Sequence, residues 1–334
     1  MSKNFCMIFI IAIIFAFVGL SYAEEKEIKA WDIDKMIHKD LKSYFTKTPE
    51  MNITPETLDD IRKESVKTRP LLENDPAVEI SDELINKDFS VRVYKPKGKH
   101  NKKLPGLLWI HGGGHILGSP EDNDSLMCEI VKRAKCIVVQ PDYDLAPEYP
   151  YPTDLNQCME ALKWLADNSQ VDSNKIAVAG MSAGGGLTAA VTLKARDEKG
   201  VKICFQMPLY PMLDYRSNTT SIYQMNSDKR AWCRELNITA WAMYLGGKQP
   251  DIYASPALAE DLSNLPPAYI MVGTLDPFRD EAINYAQKLM QAGVPVEFHV
   301  IPGVTHAFEV LYPDADISKK ARDEYINALA NALK

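Results

Sequence analysis

Five apolar runs of strand length dominate the middle of the chain: "LPGLLWI", "CIVVQP", "KIAVAG", "VKICFQMPLYP" and "PAYIMVG". Without polar alternation, such runs suit strands buried on both faces of a sheet. Stretches of helical rhythm separate several of them: "DLNQCMEALKWLADN", the segment from about Gly184 to Glu198, and "EAINYAQKLMQAG" before a further strand, "VEFHVIPG". A last helix, "KKARDEYINALANALK", closes the chain. Strand, helix and strand in succession make a parallel crossover, so the expected fold is α/β: a mostly parallel central sheet with helices on both faces. An earlier stretch, "FSVRVYKP", alternates and predicts a half-exposed strand. In sheets of this kind ligands bind beyond the carboxyl ends of the strands, which is where chemistry is to be sought.

Two regions break the rhythm. Residues 24–75 are polar and helical, with "IDKMIHKDLKSYF" spaced as one amphipathic stretch and "TPETLDDIRKES" opening on a threonine cap. Residues 214–256 hold no clear strand and are rich in Tyr, Trp and Met, as expected of an insertion lying above the sheet. At 334 residues and 46% hydrophobic, the chain has ample material for a core. A net charge of -7 leaves no basic footprint for nucleic acid.

The N-terminus reads as an export signal. Lys3 precedes an unbroken apolar run from Met7 to Leu20, then Ser21 and Ala23 before the charged "EEKE". That run is shorter than the roughly 20 apolar residues a spanning helix prefers. The expectation is a signal peptide over 1–23, cut after Ala23, and no membrane span afterwards. An uncleaved signal anchor is the alternative. The expected order is then 1–23 signal, 24–75 N-terminal helices and 76–334 catalytic domain with its insertion. Beyond Cys6 the cysteines are five and loosely spaced, which favours buried thiols over a framework, with Cys128 and Cys136 a conceivable pair. Asn52, Asn123, Asn218 and Asn237 head Asn-x-Ser/Thr triplets, which matter only in a glycosylating host.

Chemistry concentrates at the ends of the runs. "GMSAGG" places Ser182 between Gly180 and Gly184 directly after a strand, the spacing of a nucleophile on a tight strand-to-helix turn. A serine hydroxyl needs a base. His306, in "PGVTHAF" after the final strand, is the candidate; His38 and His100 lie in polar text and His299 within a strand. The base needs an anionic orienter, and Asp276 in "TLDPFRDEA" precedes the more distant Asp280. An oxyanion needs backbone donors. The run His111, Gly112, Gly113, Gly114 ends a buried strand, and the N–H of Ala183 follows the nucleophile. Ser, Asp, His is also the chain order of α/β-hydrolases. This chemistry calls for no metal and no organic cofactor. It takes a small-molecule ester, in a monomer or a homodimer.

In "HGGGHILGS", "PDYDLAPEYPYP", "GMSAGGG", "SPALAEDLSNLPPAYIMVGTLDPFRDE" and "PGVTHAF" the chain resembles the hormone-sensitive-lipase-like branch of the α/β-hydrolases. The resemblance runs from about residue 88 to the C-terminus. It implies an exported serine carboxylesterase for short to medium acyl esters, with a Ser182–Asp276–His306 triad. It also implies an oxyanion hole of Gly113, Gly114 and Ala183 N–H groups, under a helical cap. Lipase or arylacetamide-type amidase activity is the alternative. A receptor on this scaffold is disfavoured, since such proteins tend to lose the histidine retained here. Tyr215, Tyr223, Trp232 and Trp241 of the insertion become candidates for lining the acyl pocket or for ordinary packing. Four positions depart from the family's habit: Met181 replaces an acidic residue, His115 an aromatic, Asp144 an arginine and Ala307 a glycine. His115 is expected near the pocket mouth.

Overall fold

A computed structural model of the chain describes residues 28–69 and 75–334. The apolar run from Met7 to Leu20 and the Ala23 cleavage point lie outside the described residues. Eight strands form one sheet: β1 (Val78–Asn86), β2 (Phe89–Pro96), β3 (Leu104–Ile110), β4 (Ile137–Pro141), β5 (Val171–Met181), β6 (Phe205–Leu209), β7 (Ala268–Leu275) and β8 (Val296–Thr305). Their spatial order is β1-β2-β4-β3-β5-β6-β7-β8. β2 pairs antiparallel with β1 and β4, and the remaining neighbours are parallel.

Side-chain alternation explains why the central runs are apolar throughout. Along β3, Leu107 and Trp109 enter the core on one face while Leu108 and Ile110 enter the core on the other. Helices α4 (Asp124–Ala134) and α10 (Asp316–Ala332) cover the first face, through Met127, Val131, Tyr325 and Leu329. Helix α5 (Thr153–Asp167) covers the second, through Leu155, Cys158 and Leu162. α6 (Ala183–Asp197) follows β5, and α9 (Arg279–Gln291) joins β7 to β8. β1 and α4 add to the elements the sequence predicts.

The N-terminal stretch differs from its predicted single rhythm. It breaks into α1 (Ile33–Met36) and α2 (Lys42–Phe45) because Ile37 is extended and His38 N–H donates to Gly303 O at 2.6 Å rather than to a helical carbonyl. Ahead of α3 (Leu58–Thr68), Thr54 and Thr57 cap one another: Thr57 Oγ1 accepts Thr54 N–H at 2.9 Å and Thr54 Oγ1 accepts Thr57 N–H at 3.3 Å. Residues 214–256 carry α7 (Thr220–Gln224) and α8 (Arg234–Leu245). The two regions are joined: Met51 N–H donates to Lys229 O at 2.8 Å, and Arg230 pairs with Asp34 at 2.9 Å while lying 4.3 Å over the Phe45 ring.

Cys128 and Cys136 are not bridged, and burial pushes the Cys136 thiol up to about 12. Of the four Asn-x-Ser/Thr asparagines, Asn123 and Asn237 are buried in the folded chain, whereas Asn52 and Asn218 are exposed. Among the described residues no helix is long and apolar enough to cross a membrane.

Candidate active site

Ser182 stands between β5 and α6 at φ 59° and ψ -121°, a strained positive-φ conformation that a non-glycine residue adopts only when its surroundings enforce it. The enforcement is visible in its hydrogen bonds. Ser182 N–H donates to Leu209 O, and Ser182 O accepts from Gly186 N–H and Met212 N–H, each at 3.0 Å. The flanking glycines let three chain segments touch. A Cβ on Gly184 would stand 2.1 Å from Ile110 O and 2.3 Å from His111 O; one on Gly180 would stand 2.4 Å from Gly184 O.

The loops after the last two strands bring the other partners. His306 Nδ1–H donates to Asp276 Oδ2 at 2.8 Å, which leaves the Nε2 lone pair to accept the Ser182 Oγ–H at 2.8 Å. Asp276 is fully buried, and its Oδ1 accepts Phe278 N–H at 2.8 Å. The imidazole is wedged between the rings of Tyr210 and Phe278, each at a centroid distance of 5.0 Å and nearly perpendicular. Asp280 is occupied elsewhere, accepting Ser221 N–H at 2.7 Å and pairing with Arg279. The imidazole rings of His38, His100 and His299 hydrogen-bond only to groups within four residues in the chain.

After β3 the chain turns back at once. Gly113 has φ 118° and Gly114 φ 63°, and Gly113 O accepts Ile116 and Leu117 N–H at 3.1 and 2.9 Å. Among the described residues, the N–H groups of Gly113, Gly114 and Ala183 have no hydrogen-bond acceptor of their own. His111 is the peg of this turn. Its ring stacks on Tyr143 at 4.1 Å, Nδ1–H donates to Gly112 O at 2.8 Å, and Tyr143 O–H donates to His111 O at 2.9 Å. Burial pushes the His111 imidazole down to about 4, so the peg is uncharged at neutral pH.

A cavity of about 280 Å³ opens on Ser182 and His306, walled by Met51, Met181, Tyr210, Trp232 and Leu311. Of the four aromatic candidates only Trp232 reaches it. Trp241 packs on Tyr244, Tyr223 lies under the Arg234 guanidinium at 4.7 Å, and Tyr215 N–H donates to Ser255 Oγ. The expectation for His115 is also corrected: its side chain is buried on Asp154 and Tyr244 and lines no part of the cavity. Tyr210, Phe278 and Met51 escaped the sequence reading. The available signal was weak: an aromatic ending a strand in "PLYP", and another two residues after the acid. Among the described residues no group of three or more His, Cys, Asp or Glu could hold a metal ion.

A strained serine at a strand end, with a base and an acid on the loops after the following strands of a mostly parallel sheet, defines an α/β-hydrolase. A family model for the alpha/beta hydrolase fold matches residues 107–310. An arylesterase of Saccharolobus solfataricus is 37% identical over 70% of this chain and 78% of its own length. A carboxylesterase of Mycobacterium tuberculosis is 34% identical over 74% of this chain and 79% of its own. The crystal structure of esterase LipW from Mycobacterium marinum superposes with a TM-score of 0.82 at 30% identity, covering 91% of this chain and 98% of that one. The chain belongs to the hormone-sensitive-lipase-like branch of the α/β-hydrolases.

Proposed function

We propose that the protein is an exported serine carboxylesterase acting on short to medium acyl esters through Ser182, His306 and Asp276. The observation that carries the catalytic assignment is the unbroken hydrogen-bonded chain from Ser182 Oγ through His306 to a fully buried Asp276. In this reading His306 Nε2 takes the Ser182 proton as Oγ attacks the ester carbonyl. The oxyanion is met by the N–H groups of Gly113, Gly114 and Ala183. His306 then gives its proton to the departing alcohol. Water, deprotonated by the same imidazole, releases the acid and restores Ser182. Residues 24–75 and 214–256 act as the cap, supported by Met51 and Trp232 in the cavity wall. A cavity of about 280 Å³ favours short and medium chains.

The test is hydrolysis of aryl esters from acetyl to palmitoyl by the wild type and by Ser182→Ala. The variant should lose on the order of 10⁶ in kcat. Full activity in it would remove the assignment. An optimum between butanoyl and octanoyl fits the cavity, whereas a palmitoyl optimum with a jump above the solubility limit would make the protein a lipase. Matched anilides distinguish an amidase. Export rests on Lys3, the Met7–Leu20 run and Ala23. N-terminal sequencing of the protein expressed in its native host should begin at Glu24, and a mature chain beginning at Met1 would overturn cleavage.

A further inference from the structure

His115 follows Gly114 directly, and its backbone shares the left-handed turn at φ 64°. Its Nδ1–H donates to Asp154 Oδ2 at 2.7 Å, with each side chain only 3% exposed. The imidazole stacks on Tyr244 of α8, with centroids 3.7 Å and planes 11° apart, and Trp241 of the same helix stands 6.0 Å away. Asp154 sits in the first turn of α5, where the helix dipole favours a carboxylate, and its Oδ1 accepts Leu155 N–H at 2.7 Å. The His115 carbonyl accepts Ala146 N–H at 2.9 Å. One residue thus ties the glycine turn to α5, to α8 and to the loop after β4.

Filling space does not explain the pair. An aromatic ring facing an apolar side chain would occupy the site without taking polar groups out of water, which costs stability unless they are hydrogen-bonded. What a charged hydrogen bond supplies, and an apolar contact does not, is direction. Gly113 and Gly114 carry two of the three N–H groups assigned above to the oxyanion, and such donors act only if held to within about 0.5 Å. α8 and the segment leading into it press on the same turn, since a Cβ on Gly114 would meet the Trp232 ring at 2.7 Å and Ala240 Cβ at 3.3 Å.

We propose that His115 is a positioning residue for the oxyanion-stabilising turn. Held by Asp154 and stacked on Tyr244, it fixes the Gly113 and Gly114 N–H groups and couples the seating of α8 to transition-state stabilisation. The inference rests on the Ser182 reading above. His115 touches no part of the cavity, so substrate affinity should be indifferent to it.

The test uses the whole protein with two variants. His115→Phe combined with Asp154→Ala keeps a ring on Tyr244 and strands no buried carboxylate, while Asp154→Asn keeps an acceptor for Nδ1–H. For each, kcat and KM are measured with an aryl butanoate. Inhibition is measured with a trifluoromethyl ketone, which adds Ser182 to form an oxyanion, and with the matching methyl ketone. The double variant should lose about 10- to 100-fold in kcat with KM within about twofold. Its affinity for the trifluoromethyl ketone should fall by the same factor, with the methyl ketone unaffected, and Asp154→Asn should recover most of the loss. An unchanged kcat in the double variant overturns the proposal. So does a loss of kcat that leaves the ratio of the two inhibition constants at its wild-type value, because that marks a merely structural role. Wild-type activity in Ser182→Ala would remove the parent reading, whereas a Ser182→Ala that loses on the order of 10⁶ in kcat beside an unchanged double variant would remove only this one.

Discussion

Asp276→Asn separates the two duties of the buried carboxylate. Both oxygens of Asp276 accept, one from His306 Nδ1–H and one from Phe278 N–H, each at 2.8 Å, in a position with no solvent exposure. Asparagine has the same shape but offers one acceptor and one NH₂. If the NH₂ faces His306, Nδ1 must present its lone pair and the proton moves to Nε2, which then cannot take the Ser182 proton. If it faces Phe278, two donors oppose each other at the entrance to α9, at a cost of about 1–3 kcal/mol for an unmade buried hydrogen bond. The tautomer arrangement dominates the kinetics: a wrong-tautomer triad loses about 10⁴ in kcat. That loss corresponds to about 5 kcal/mol of transition-state stabilisation at 1.36 kcal/mol per factor of ten. The assay is steady-state aryl ester hydrolysis with thermal melting alongside. Asp280→Asn is the control, because Asp280 serves Ser221 and Arg279, and its kcat should stay within about threefold of wild type. A kcat for Asp276→Asn above about a tenth of wild type, or equal damage from Asp280→Asn, would refute the argument.

Two further outcomes bear on the scaffold of the site. His111 is held near 4 by burial against an ordinary 6.5, so the unfolded chain takes up that proton more readily. Its contribution is fully present above pH 6.5 and is lost between 6.5 and about 4, amounting to about 3 kcal/mol. Denaturant titrations at pH 7 and pH 4 should show this increment in the wild type and lack it in His111→Gln, and equal pH dependence in both would exclude it. Gly184→Ala should be insoluble or melt about 10 °C lower, since the new Cβ meets two backbone carbonyl oxygens that cannot step aside. A melting point within about 2 °C of wild type would show that the turn tolerates opening.

What the sequence makes legible follows from where each signal originates. β3 to β7 are buried on both faces, so composition alone marks them, and the positions of Ser182, Asp276 and His306 follow from strand ends. β1 is an edge strand with exposed Glu79 and Asp82 among its apolar residues, which hides its period. The break between α1 and α2 is set by Gly303, a partner that no local window contains. Trp232 and Trp241 lie in one segment and are alike as letters. Only the orientation of α8 and its lead-in sends the first to the cavity and the second to Tyr244. Tyr210 and Phe278 act by flanking His306, a relation that exists only after the sheet has formed.

The departures from the family's habit are not scattered. His115 is answered by Asp154, and Asp144 by Gln157, whose Nε2–H donates to Asp144 Oδ2 at 2.7 Å and whose Oε1 accepts Asp144 N–H at 2.8 Å. Asp154 and Gln157 are three residues apart on α5 and therefore share one face of that helix. Two substitutions in separate loops are thus matched by two side chains on a single element beneath the oxyanion turn. Ala307 keeps the left-handed backbone that glycine would take freely, at φ 53°, and its carbonyl accepts Val310 and Leu311 N–H at 3.1 and 3.0 Å. Strain of about 1–2 kcal/mol at that position is the cost of holding His306 toward Ser182 without a glycine hinge. Met181 puts a flexible apolar side chain into the cavity wall where a charge would otherwise border the nucleophile. Met181 and Ala307 both line the cavity, and of the two Met181 brings the larger and more flexible side chain to it, which makes Met181 the position through which this chain's ester selectivity should first be altered.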